Sequence, residues 1–178
     1  AGAALMSCIA TLLQLLIIVA GVSILWLKTI LLPTLVASVL LGICAYALVR
    51  SAPAQEQYQP TDSRMFSLKE AGIIALTLTF IQAVVYGLNL WLGDAGLIAG
   101  TLLASLFEIH AAMATVVMQG APADTAAMSA FILGLAAHAV AKSVNAALTG
   151  GKQYFIAFAP IQILHIAVLI GLLWWTID

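Results

Sequence analysis

The chain has 178 residues, 64% of them hydrophobic and only 7% charged, with a mean hydropathy of +1.15. Soluble domains carry about 25% charged residues, so that class is excluded. A formal net charge of −1 without a basic cluster excludes a nucleic-acid footprint.

Apolar runs of roughly 20 residues, the length that crosses a bilayer, follow one another along the chain. The short alternating segments of a transmembrane β-barrel are absent. The composition therefore predicts an all-α, polytopic integral membrane protein, with about six transmembrane helices in a single bundle domain over 1–178. There is no initiating Met and no signal peptide, which is read as a processed chain or the C-terminal part of a longer one.

The first span is expected over about 3–25, with Ser7, Thr11 and Gln14 on one face and Trp26 and Lys28 at its exit. The second runs over about 29–49, with Pro33 in its first turns and Thr34, Ser38 and Gly42 as a small-polar stripe. Cys8 and Cys44 lie inside these apolar runs and read as small buried hydrophobes. A polar loop follows at 50–67, with two prolines and four charges. Ser67 and Glu70 have the spacing of a capping box for a third span over about 68–92. That span places Thr79, Gln82, Tyr86 and Asn89 on one face.

Gly93-Asp94-Ala95-Gly96 makes a tight connection to a fourth span over about 96–118. There Thr101, Ser105, Glu108, Ala112, Thr115 and Gln119 recur at spacings of 4, 3, 4, 3 and 4, one seam down a helix. A carboxylate inside a membrane is costly unless paired or used, which makes Glu108 the first candidate site residue. His110 would project about 200° away on a regular helix, so the two meet at one small ligand only if the helix breaks.

The fifth span, about 125–148, carries Gly134, His138, Lys142, Asn145 and Thr149 on one face. Lys142 is the expected counter-ion for Glu108, because each charge alone would be expensive in a bilayer. The sixth, about 156–177, carries Gln162 and His165. Small and weakly polar residues at such spacings are also the usual glue between membrane helices.

Shifting the chain by 127 lays Pro33 on Pro160 and Ser38 on His165, while a shift of 128 lays Gln14 on Lys142. This suggests a weak internal repeat of spans one and two in spans five and six. Six spans would put both termini on one side. Arg50, Arg64 and Lys69 against Lys28 and Lys152 would make that side cytoplasmic.

The segments WLGDAG, LFEIHAAMA, HAVAKSVNA and GGK resemble the uncharacterised multi-pass membrane domain that follows MgtC/SapB-type domains in bacterial membrane proteins. The resemblance implies a bacterial cytoplasmic-membrane protein with an ion- or solute-transport role. It lays Glu108 on an Asp of that family, His110 on an Asp or His, His138 on an Asn and Lys142 on its Lys. Gln14 stands where the family usually has an Arg.

The expectation is thus a membrane transporter of a divalent cation or a proton-coupled solute, not an enzyme. Glu108, His110, His138, Lys142 and Asn145 would form its binding site. Glu108, His110 and His138 would be the ligands if a divalent transition-metal ion is the substrate, since oxygen with imidazole suits Zn²⁺, Mn²⁺ or Fe²⁺ better than Mg²⁺. The alternatives are a non-catalytic membrane subunit and an intramembrane metallo-enzyme. Expected partners are the lipid bilayer and either a second copy or a missing N-terminal membrane half, with no nucleic acid.

Overall fold

The computed structural model describes residues 1–51 and 68–177, and every described element is an α-helix: α1 (Gly2–Val22), α2 (Ile24–Ser51), α3 (Leu68–Leu92), α4 (Asp94–Phe107), α5 (Ile109–Gln119) and α6 (Thr125–Ile177). The all-α expectation holds. Arg50 and Ser51, the expected start of the polar loop, still belong to α2, and the rest of that loop, Arg64 and the Ser67–Glu70 capping box lie outside the described residues and side chains. Among the described residues four helices are long and apolar enough to cross a membrane, namely α1, α2, α3 and α6.

α6 is two helices joined at Gly151, whose φ of 74° and ψ of 178° are non-helical. A residue with a side chain adopts that conformation only with strain. Its limbs, 125–150 and 152–177, correspond to the expected fifth and sixth spans. They run back along each other, since Thr125 and Met128 line one cavity with Trp174. α1 and α2 form a second antiparallel pair joined at Ser23, with Gly2 packed on Val49 and Gly42 facing Ile9. α3 and α4 form a third, turning at Gly93 (φ 59°). Gly96 and Gly100 let α4 lie directly on the α3 backbone at Leu88 and Val85.

The fourth expected span departs from the sequence reading. It is divided at Glu108, whose φ of −149° and ψ of 110° are extended, into α4 of 14 residues and α5 of 11. The two halves lie alongside each other. Gln119, at the end of α5, pairs with Asn89 at the end of α3, and the Gly120 carbonyl accepts from Trp26 Nε1 at 2.7 Å. α5 therefore returns to the end of the bundle where α4 began. At 1.5 Å per residue, α4 reaches about 21 Å deep, against roughly 30 Å of bilayer hydrocarbon. Such a re-entrant hairpin is tolerated where protein or a water-filled cavity surrounds it.

The hairpin corrects the arrangement of the ends. Gly2, beside Val49, and Trp174, beside Thr125, lie at opposite ends of the bundle, so the termini do not share a side. Lys152 joins Arg50 and Lys69 at one end, leaving Lys28 at the other. The core runs between the pairs through Leu5, Leu15, Ile30, Leu41, Met113, Phe131 and Leu169, all fully buried.

Candidate functional site

The hairpin tip is built by Glu108 itself. Breaking a helix leaves the first N–H groups of the next one without partners. Glu108 Oε2 accepts one of them, from Ala111 N at 2.5 Å, which makes it the N-cap of α5. The extended backbone at Glu108 also frees the carbonyl of Ser105 from its own helix. His138 of α6 takes it, with Nδ1 3.0 Å from that oxygen. His138 is thus bound to the back of the break rather than gathered with Glu108.

The break brings Glu108 and His110 together. Oε1 of Glu108 lies 2.7 Å from His110 Nδ1, and His110 Nε2 lies 3.2 Å from the carbonyl oxygen of Thr11. The side chains of His110 and Glu108 retain only 18% and 26% exposure. A carbonyl only accepts, so Nε2 carries a hydrogen. Nδ1 then either donates to an ionised carboxylate or accepts from a protonated one. In both forms the pair holds one shared proton and is electrically neutral.

Lys142 does not pair with Glu108, contrary to the sequence expectation. Among the described residues no carboxylate lies within 4.0 Å of its Nζ. Nζ donates to Thr11 Oγ1 at 3.0 Å and to Cys8 Sγ at 3.7 Å. Thr11 Oγ1 passes its own hydrogen to the Ser7 carbonyl at 3.0 Å. Thr11 thereby links the two groups, with its carbonyl on His110 and its hydroxyl on Lys142. Cys8 is buried, as expected of a small hydrophobe. It nonetheless has polar partners, which a small buried hydrophobe does not need: Lys142 Nζ and Gln162 Oε1, the latter at 3.4 Å. The signal was present: Cys8 adjoins the Ser7–Thr11 stripe on α1.

Lys142 stands between two cavities. One, of about 270 Å³, is lined by Ser7, Cys8, Lys142, Asn145, Thr149 and Tyr154 among others. It lies toward the end of the bundle that holds Gly2 and Lys152, the end the hairpin never reaches. The second, of about 20 Å³, is lined by Cys8, Thr11, His138, Lys142, Gln162 and His165 among others, and is roomy enough for about one water. Asn145 shares the larger cavity with Lys142, as the sequence predicts. His165 and Gln162, both buried, reach only the inner one. Thr101 Oγ1, Ser105 Oγ and His138 Nε2 are buried without a hydrogen-bond partner, where Gly134 lets α6 approach α4 and α5 at Ser105 and Met113.

The expected metal set of Glu108, His110 and His138 is not gathered. Among the described residues no three His, Cys, Asp or Glu side chains are placed to hold a metal ion. What the arrangement can do is share a proton at the hairpin tip and offer an ammonium group to the two cavities beside it.

Residues 1–150 match the model of a domain of unknown function, DUF4010. The chain belongs to the DUF4010 family. No curated protein and no solved structure matches it.

Proposed function

We propose that this DUF4010 protein is a membrane transport protein that moves an ion or small solute in exchange for, or together with, protons. The observation that carries the reading is the half-depth hairpin. It ends at Glu108 and His110 above the polar cavity of about 270 Å³, the vestibule, while Trp26 and Phe131 pack beneath the hairpin's other end. A polar cavity on one side of a half-depth hairpin is the outline of a path that meets one face of the membrane. Ionisable residues inside a membrane mark such paths, and the Glu108–His110 pair is able to carry the proton. Of the two expected substrates, the ungathered metal ligands favour the proton-coupled solute.

Orientation follows from charge. Arg50, Lys69 and Lys152 lie at the vestibule end and Lys28 at the other, so the positive-inside rule turns the vestibule toward the cytoplasm of a bacterial inner membrane.

The test is purified protein in proteoliposomes loaded with a pH-sensitive dye. They are challenged in turn with Mn²⁺, Mg²⁺, succinate, phosphate and sulfate. One challenge should move internal pH in wild type, and Glu108→Gln, which removes the shared proton, should abolish the response. A Glu108→Gln protein as active as wild type, or a wild type silent to the whole panel, would sink the reading.

A second reading, a membrane subunit, is favoured by Gln14. It is exposed in the middle of α1, where lipid is a poor neighbour for an amide. An MgtC/SapB-type membrane half or a second copy would cover it. In that case Glu108→Gln and Gln14→Leu lower assembly in crosslinking, with no solute-dependent proton movement.

A further inference from the structure

We infer that the vestibule is a binding site for a small anion, a carboxylate- or oxyanion-bearing solute, and that Lys142 is its anchoring charge. This rests on the transport reading for its role, and on the charge balance of the site for its chemistry.

An ammonium group has three N–H donors and no acceptor. Lys142 Nζ directs two at neutral groups, Thr11 Oγ1 and Cys8 Sγ. Among the described residues the ion pair nearest in the chain of contacts, Glu108 and His110, holds 2.7 Å together and is net neutral in either arrangement of its shared proton. Among the described residues the positive charge of Lys142 therefore has no counter-ion within 4.0 Å, although lone charges at membrane depth are costly. Of the two cavities it lines, the inner one of about 20 Å³ holds about one water, which leaves a ligand the cavity of about 270 Å³, where the other polar side chains are hydrogen-bonding groups without charge: Ser7, Asn145, Thr149 and Tyr154. An anion with several oxygens satisfies all of them, and a metal cation satisfies none as well, because the wall offers an ammonium and no carboxylate. The cavity volume suits a small organic acid or an inorganic oxyanion. It is short of a nucleotide, since drug-sized ligands fill pockets of about 300–1,000 Å³.

Two measurements test this. In detergent, thermal unfolding is followed against sodium succinate, phosphate and sulfate, with chloride at matched ionic strength as the reference. At least one of the three should raise the midpoint saturably in wild type. Lys142→Met should lose the shift, and Lys142→Arg, which keeps the charge, should retain it. Succinate alone would identify a carboxylate site, and phosphate or sulfate alone an oxyanion site. No shift for any of the three, or an equal shift in Lys142→Met, overturns the proposal.

The second measurement keeps Lys142 and does not depend on that variant folding. A Ser7→Cys probe is placed in a Cys8→Ala, Cys44→Ala background, and its labelling by anionic and cationic methanethiosulfonates is compared. A local positive field should favour the anionic reagent by roughly 10-fold. Equal rates, or a faster cationic reagent, overturn the proposal. The two readings fail separately. Anion stabilisation without proton-coupled flux removes transport and leaves the site, whereas flux driven by Mn²⁺ with no anion effect removes the site and leaves transport.

Discussion

The two ends of this bundle are built on opposite principles. At the hairpin end polar side chains of α2 and α3 tie the returning chain into the packing. Trp26, fully buried, donates to the Gly120 carbonyl and stacks on Phe131 with ring centroids 4.9 Å apart, and Asn89 pairs with Gln119. At the other end the hairpin is missing, and the same α1 and α6 faces that would have packed against it line a vestibule. The difference teaches that one event, the reversal of the chain at Glu108, both seals one end and opens the other.

The comparison breaks most completely if the hairpin cannot dock. A Cβ on Gly96 would lie 1.9 Å from the Leu88 carbonyl oxygen, a backbone atom that has nowhere to go. Gly96→Ala is expected to yield no monodisperse folded protein in size-exclusion chromatography, and recovery at wild-type yield would show that α4 does not lie on α3 in this way. Next comes the seal. Trp26→Phe keeps a ring against Phe131 but loses part of a fully buried side chain and its bond to the half-buried Gly120 carbonyl, and should cost about 1–3 kcal/mol in thermal unfolding. An unchanged midpoint would mean that water already serves that carbonyl.

A smaller effect is expected at the tip. Glu108→Gln keeps an oxygen to accept from Ala111 N, so its stability should fall by no more than about 1 kcal/mol. Glu108→Ala, which lacks the cap, should lose about 0.5–2 kcal/mol. Equal losses in the two variants would deny the carboxylate its capping role. Smallest of all is the open end. Thr149 bonds only the Asn145 carbonyl of its own helix, at 2.8 Å, and is exposed, so Thr149→Val should stay within about 0.5 kcal/mol. A loss matching that of Trp26→Phe would show that the vestibule end is packed as well.

The polar stripes were legible in the sequence because helical periodicity is local. Ser7–Thr11, Lys142–Asn145 and Asn89 were each assigned to a face, and each is found on a cavity or a contact. The break was not legible. Phe107, Glu108 and Ile109 include neither Gly nor Pro, and the run 96–118 is long enough and apolar enough to serve as one span. Its reversal depends on partners far along the chain: His138 for the freed Ser105 carbonyl, Asn89 for Gln119 and Trp26 for Gly120. The Glu108–Lys142 pairing failed for the same reason, since Glu108 took a partner two residues away that only the break brings within reach.

The sequence by itself determined that the protein is an all-α membrane bundle and which residues inside it are too polar to be passive. Apolar run length and helical spacing are properties of neighbouring residues, so composition and periodicity suffice. Only the tertiary structure decided that the fourth run turns back at Glu108, that His110 rather than Lys142 satisfies that carboxylate, and that Lys142 faces a cavity with no carboxylate beside it among the described residues. Those outcomes turn on where carbonyls, N–H groups and charges from distant segments meet, and no local pattern encodes them.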